Sequence, residues 1–201
     1  MCIKTNKNMQ NNWLTPNSLK GTNVSLIPMQ LEHKEGLLNA ASDGKLWELW
    51  YTSVPSHKNI DTYMHTAMNT NSMLPFSVIE TKTGNVLGST RFCNAEPASL
   101  RLEIGYTWYA KSTQRTGVNT ECKLLLLTHA FEELKCNAVE FRTHYFNTAS
   151  RNAITRLGAK QDGILRNHRM DSDGTLRDTV VFSILKSEWP VVRKNLNFKL
   201  Q

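Results

Sequence analysis

Two stretches of this 201-residue chain hold side chains whose types and spacing suit chemistry. The first is Gln114, Arg115, Thr116, Gly117, Val118, Asn119 and Thr120, a polar loop between a strand-like run and a long apolar run. A loop that opens onto a helix N-terminus points backbone N–H groups outward, and the aligned peptide dipoles favour negative charge there. Arg115 adds a fixed positive charge, so the stretch predicts a phosphate-binding loop, with Asn119 or Thr120 as the helix cap. The second is Glu103, a lone carboxylate just before the loop. It alternates away from Leu102, Ile104 and Tyr106, and a carboxylate there costs stability unless it is paired or used. Arg91, Arg101 and Arg142 are the partners available to it if its role is structural.

Elements must position these groups. Leu102, Ile104, Tyr106 and Trp108 alternate with Glu103, Gly105, Thr107 and Tyr109, the period of a β-strand with one set on each face. Leu124 to Leu127, Ala130, Phe131 and Leu134 give the next helix a broad apolar side that must lie against a sheet. Ala138–His144 reads as a strand and Thr148–Leu157 as a helix stopped by Gly158, so strand–helix–strand implies parallel pairing with a right-handed crossover. Upstream, PFSVIE and VLGSTRF flank the turn TKTGN as a hairpin. Asn23–Met29 reads as a strand, Leu31–Ser42 as a helix burying Leu31, Leu37 and Leu38, and a helix starts at Asn59 or Asp61. A last hairpin turns at MDSDG, and a short helix closes the chain. The expectation is one α+β domain over residues 21–201, with a mixed, mostly antiparallel sheet of about seven strands flanked by helices. Residues 1–20 read as a polar tail anchored by Trp13 and Leu14.

Composition narrows the partners. The net charge is +7, but the 24 basic residues are spread along the chain without a dense run or an RNA-binding aromatic motif. That distribution argues against nucleic acid as the main partner and suits a polyphosphate or acidic ligand. No apolar run approaches a membrane span, and the polar N-terminus lacks the core of a secretory signal. Cys2, Cys93, Cys122 and Cys136 are scattered, which fits reduced thiols in a cytoplasmic protein and no metal site. Trp47, Trp50, Tyr51 and His57 crowd one segment, either plugging the core or walling a small-molecule pocket.

Three pieces in order, LEIGYTWY, QRTGVNTE and NTASRNAITRLGA, carry a resemblance to the GCN5-related N-acetyltransferases (GNAT), in the branch of bacterial enzymes acetylating ribosomal-protein N-termini. The resemblance implies acetyl-CoA as the donor, with the backbone N–H groups of residues 115–120 around its pyrophosphate. Gln114, Gly117 and Asn119 match the family's loop positions, and Asn119 departs from the usual small residue there. It further implies that the parallel pair splays around Tyr106–Tyr109 and Phe141–His144 to hold the pantetheine arm, with backbone partners at Thr107, Trp108 and Tyr109 and a contact from Asn147. Glu103 is then the candidate base, directly or through water. Ser150 is the candidate proton donor to the departing thiolate, against the alternative of a helix-capping hydroxyl. The acceptor is a primary amine, on a protein N-terminus or a small molecule, meeting Trp47, Trp50, Tyr51 and His57 in a ternary complex. A coenzyme-binding sensor with the same fold is the alternative, and a monomer and a homodimer fit equally.

Overall fold

The computed structural model describes residues 13–171 and 173–201. Runs rich in β-branched and aromatic residues form strands β1 (Leu19–Lys20), β2 (Val24–Pro28), β3 (Leu74–Glu80), β4 (Val86–Glu96), β5 (Arg101–Tyr109), β6 (Ala138–His144), β7 (Lys160–Met170) and β8 (Leu176–Leu185). The helices are α1 (Lys34–Ser42), α2 (Ile60–Asn69), α3 (Val118–Thr128), α4 (Thr148–Leu157) and α5 (Trp189–Phe198). All eight strands join one sheet in the order β1-β2-β3-β4-β5-β6-β8-β7. Every neighbouring pair is antiparallel except β5 and β6. The fold is α+β, as expected, with eight strands rather than about seven. The extra one is Leu19–Lys20, which pairs Leu19 with Leu26 within the stretch read as a tail. Trp13 and Leu14 do pack on the core, and Trp13 Nε1 donates to the Leu134 carbonyl at 3.3 Å. The first twelve residues of that stretch lie outside the described residues.

Two apolar clusters sandwich the sheet. One joins Leu102, Ile104, Val139, Phe141 and Phe182 to Leu126 and Leu127 of α3, Ile154 of α4 and Leu196 of α5. The other joins Leu37, Leu38, Ile60 and Met64 of α1 and α2 to Trp108. Adjacent residues Trp108 and Tyr109 belong to different clusters, so the clusters lie on opposite faces of β5. Leu31 is 74% exposed, contrary to expectation. Residues Leu31–His33 form a 3-10 turn whose three-residue period swings Leu31 outward before α1 begins.

A bulge in β5 overturns the simple alternation predicted for it. Ser89 pairs with Trp108 but Arg91 pairs with Gly105, so β5 holds one extra residue where β4 holds none. Tyr106 takes it up with φ +51°. Leu102 and Ile104 therefore face α3, while Trp108 faces α1 and α2.

The parallel ladder between β5 and β6 is short. It pairs Arg101 with Ala138, Leu102 with Val139 and Glu103 with Glu140, and then stops. β6 stays paired with β8 as far as His144, and β5 stays paired with β4 as far as Tyr109. From Ile104 onward the two strands diverge, leaving the β5 edge that faces β6 without a strand partner.

Candidate active site

The polar loop follows β5 at the open end of this splay. Gln114 turns back, its Nε2 donating to the Tyr109 carbonyl at 3.1 Å, and Arg115 sits at φ +64°. The N-cap of α3 is Gly117, two residues before Asn119 and three before Thr120, the caps expected from the sequence. Neither Asn119 nor Thr120 caps it. Thr116 does part of that work, since its Oγ1 accepts from the Val118 N–H at 3.3 Å. Helix geometry leaves the N–H groups of Asn119 and Thr120 in the first turn without intrahelical acceptors. Arg115 is exposed beside them. The loop thus joins amide donors, a dipole and a guanidinium, which fits a pyrophosphate.

Glu103 lies at the closed end of the splay, on the face away from α3, and is 7% exposed. Its Oε2 accepts from Asn94 Nδ2 at 2.7 Å, and Arg142 Nε stands 3.7 Å from the same oxygen. Arg101 and Arg142 both pair with Glu140, so Glu103 shares Arg142 with a second carboxylate and holds it at the longer distance. Burial pushes its carboxyl above the usual carboxylate range, while Asn94 and Arg142 pull it back. A carboxylate with raised proton affinity in a hydrogen-bonded niche is suited to accept a proton.

Arg91, offered by the sequence as a partner for Glu103, makes no ion pair with it. Its guanidinium is sandwiched between the rings of Tyr63 and Tyr106, 4.4 Å from each centroid. Two such cation–π contacts hold a buried charge in place of an anion. Tyr63 in turn accepts from Trp108 Nε1 at 3.0 Å, tying α2 to the bulge.

The aromatic segment divides. Trp50 is 65% exposed and meets the His144 ring at 4.9 Å, the Tyr51 ring at 5.5 Å and the Phe146 ring at 6.1 Å. Trp50, His144 and Phe146, with Tyr145, Ile164 and Leu176, rim a cavity of about 650 Å³ at the end of β6. Trp47 instead packs against the α1–α2 cluster, and its ring neighbour is His57 at 6.4 Å. Of the four aromatic candidates the structure places Trp50 on the cavity, with Tyr51 against its ring outside the lining, and it brings neither Trp47 nor His57 there. His144 Nδ1 accepts from the Phe146 N–H at 3.0 Å, and Nε2 lies 3.8 Å from Asp171 Oδ2. Both ring nitrogens are engaged, and burial holds its pKa below the usual imidazole value.

At the start of α4, Asn147 is the N-cap and its Oδ1 accepts from the Ser150 N–H at 3.0 Å. The cap uses the Ser150 amide and leaves its hydroxyl unassigned. Gly158 closes the helix at φ +106°, as its position predicted.

Two site-lining residues escaped sequence reasoning. Asn94 gave no signal, because its role depends on a turn of β4 that carries it at φ +47° over Glu103. Lys123 did leave one: it interrupts CKLLLL at a helix position that must be buried.

A mixed sheet with one splayed parallel pair, an amide-rich loop and α3 between them is the architecture of the GNAT fold. The acetyltransferase (GNAT) domain family matches residues 23–160, and the chain belongs to that family. Bacillus subtilis YdaF, named as a ribosomal N-acetyltransferase, is 34% identical over 106 residues, spanning 53% of this chain and 57% of that protein. The chain thus matches little more than half the length of this curated relative. A GCN5-related N-acetyltransferase structure from Brucella melitensis superposes with TM-score 0.84 at 27% identity, covering 93% of this chain and 86% of that one. RimJ of Mycobacterium smegmatis, solved in complex with CoA-disulfide, shares the fold at 20% identity with TM-score 0.76, covering 92% of this chain and 95% of that one. Among the described residues no helix is long and apolar enough to cross a membrane.

Proposed function

We propose that this chain moves the acetyl group of acetyl-CoA directly to a primary amine, on a protein N-terminus or a small molecule, with both substrates bound at once. The observation that carries the reading is the splay of β5 from β6, which has the amide-rich loop at its open end and buried Glu103 at its vertex. The same fold in a protein solved with a CoA adduct supports the choice of donor.

The coenzyme supplies an acyl group already activated as a thioester. In this reading the N–H groups of residues 115–120 and the Arg115 side chain take the pyrophosphate, with Gln114 and Gly117 shaping the turn. The unpaired β5 edge at Thr107, Trp108 and Tyr109 offers backbone partners to the arm, and Asn147 faces it from α4. A β5 N–H near Thr107–Trp108 attracts the negative charge that gathers on the carbonyl oxygen. Glu103 accepts the proton of the attacking amine, directly or through a water. The Ser150 hydroxyl gives a proton to the leaving sulfur. Trp50 walls the acceptor cavity, while Tyr51, Trp47 and His57 reach an acceptor only by its outer part. Buried thiols at Cys93, Cys122 and Cys136 suit a reducing, cytoplasmic setting. One protomer supplies every residue named.

Isothermal titration with acetyl-CoA tests this directly. Saturable binding that Arg115→Ala weakens is expected, and wild-type protein that takes up none would remove the reading.

A further inference from the structure

Behind β5 lies a charge that the proposed chemistry leaves without a task. Lys123, in the second turn of α3, is buried, and its Nζ donates to Thr107 Oγ1 at 2.7 Å and to Thr90 Oγ1 at 3.5 Å. The two hydroxyl oxygens are 2.8 Å apart. Among the described residues no carboxylate forms an ion pair with it. The titratable groups that act on it are the thiols of Cys122, on its own helix, and Cys93, on the other face of β4. The Glu121 carboxylate, two residues before Lys123, is taken up by the N–H groups of Thr22 and Asn23. An ammonium in such a layer is costly, and a methionine or leucine would pack there without that cost. Burial brings its pKa down to about 8, so it still carries charge at neutral pH.

Thr107 links this charge to the splay. It is half-buried, it lies just past the bulge, and it sits on the part of β5 that has lost β6 as a neighbour. A threonine hydroxyl has one hydrogen to donate and two lone pairs to accept with. When an ammonium occupies a lone pair, the O–H, here directed at the Gly105 carbonyl 3.5 Å away, becomes a stronger donor.

We propose that the Lys123 ammonium, acting through the Thr107 hydroxyl, holds the sulfur of bound coenzyme A as its thiolate. This rests on the reading above, in which the coenzyme arm lies along β5. In the transfer, the amine nitrogen forms the C–N bond while the C–S bond breaks. Sulfur leaves with the bonding pair, the surplus amine proton passes to Glu103, and Ser150 protonates the sulfur afterwards. A buried positive charge behind that sulfur stabilises the pair before the proton arrives. Lys123 touches no substrate and is a positioning residue.

The test titrates coenzyme A bound to the full chain from about pH 6 to about pH 10, around the free thiol's range. Thiolate absorbance in the ultraviolet is followed, with desulfo-coenzyme A as the blank that removes the protein's own thiols and tyrosines. The wild-type complex is expected to titrate about one unit or more below free coenzyme A, the shift a nearby opposite charge produces. Lys123→Met and Thr107→Val return the thiol to its free value. Lys123→Gln, which keeps a donor but no charge, does the same, while Lys123→Arg retains part of the shift. Near pH 8 Lys123→Met also binds coenzyme A about threefold more weakly, which is what a one-unit shift gives just below a free thiol pKa of about 8.5, with unchanged affinity for the desulfo analogue. A bound thiol that titrates alike in wild type and Lys123→Gln, or that is unshifted in wild type, overturns the proposal and leaves the function standing. A wild-type protein that does not bind coenzyme A overturns both.

Discussion

Asn94 Nδ2 donates to Glu103 Oε2 at 2.7 Å, and this bond sets where the buried carboxylate points. The opposite wall of the niche is Gly105, where an added Cβ would come within 2.8 Å of Glu103 Oε1. The carboxylate is thus held from one side and confined from the other, and both constraints come from the irregular pairing of β4 with β5.

Asn94 should therefore tune the pH profile. Burial raises the Glu103 pKa and the Asn94 hydrogen bond lowers it, so Asn94→Ala raises it further. A base works only when deprotonated, and the acid limb of kcat/KM moves to higher pH in the variant. An acid limb unmoved, or moved to lower pH, would detach the limb from Glu103.

Asn147 and Ser150 separate cap from chemistry. Asn147→Ala removes the N-cap acceptor of α4 and lowers stability by about 1 kcal/mol, read as a drop in denaturation midpoint. Ser150→Ala keeps the capping amide, so its midpoint stays near wild type while turnover falls by about tenfold or more, as loss of a positioned proton donor would produce. Full turnover in Ser150→Ala would return that hydroxyl to a structural role.

Trp50 and Trp47 should behave oppositely. Trp50 is mostly exposed at the cavity, so Trp50→Ala raises KM for the acceptor with little change in stability. Trp47 packs on the α1–α2 cluster, so Trp47→Ala lowers stability by about 1–3 kcal/mol, below the full-core range for such truncations. Equal thermal shifts in the two variants would contradict this division.

Lys123 predicts a pH-dependent stability difference. Its pKa is about 8 when folded and 10.5 ordinarily, so between these values the unfolded chain binds the extra proton. Stability contributed by this group then rises with pH across that window, and the full penalty applies below it. Cys122 and Cys136, each pushed up to about 12 by burial, act in the opposite sense at alkaline pH. Both thiols stay protonated at neutral pH in wild type and Lys123→Met alike, so the difference between the two at pH 7 reports the lysine. Denaturant unfolding should find Lys123→Met the more stable at pH 7, by about 3 kcal/mol from the pKa gap, with the advantage shrinking toward pH 10. A variant less stable than wild type at neutral pH would show that the ammonium stabilises the fold.

The local signals along the chain were strong enough for most elements to be legible. Ala138–His144 and Thr148–Leu157 were readable to the residue, because alternation, an Asn cap and a terminal glycine agree there. The family pieces made the loop, the splay and Glu103 legible as a set. Other features depended on neighbours distant in sequence. The Tyr106 bulge exists because β4 and β5 differ in length between shared partners, and periodicity within β5 cannot reveal that. The expected long helix to Leu134 widens into a π-turn over His129–Glu133, where the Leu134 N–H reaches the His129 carbonyl at 3.0 Å. Two-residue β1 is too short to leave a period. The His144–Asp171 contact joins a strand end to a hairpin 27 positions away, and only the sheet order brings them together.

Acetyl transfer to an amine, with Glu103 as base, leaves a signature on both products. The most direct measurement incubates the protein with acetyl-CoA and a panel of amines, including peptides with free N-termini. It follows free thiol release together with the mass of the acceptor. Wild type should release thiol in step with a one-acetyl gain on at least one amine, and Glu103→Gln should be slower by about a hundredfold or more at neutral pH with nearly unchanged coenzyme affinity. Binding of acetyl-CoA with no amine-dependent thiol release would contradict the claim and point to a coenzyme sensor. Wild-type rates in Glu103→Gln would take the base assignment away from Glu103.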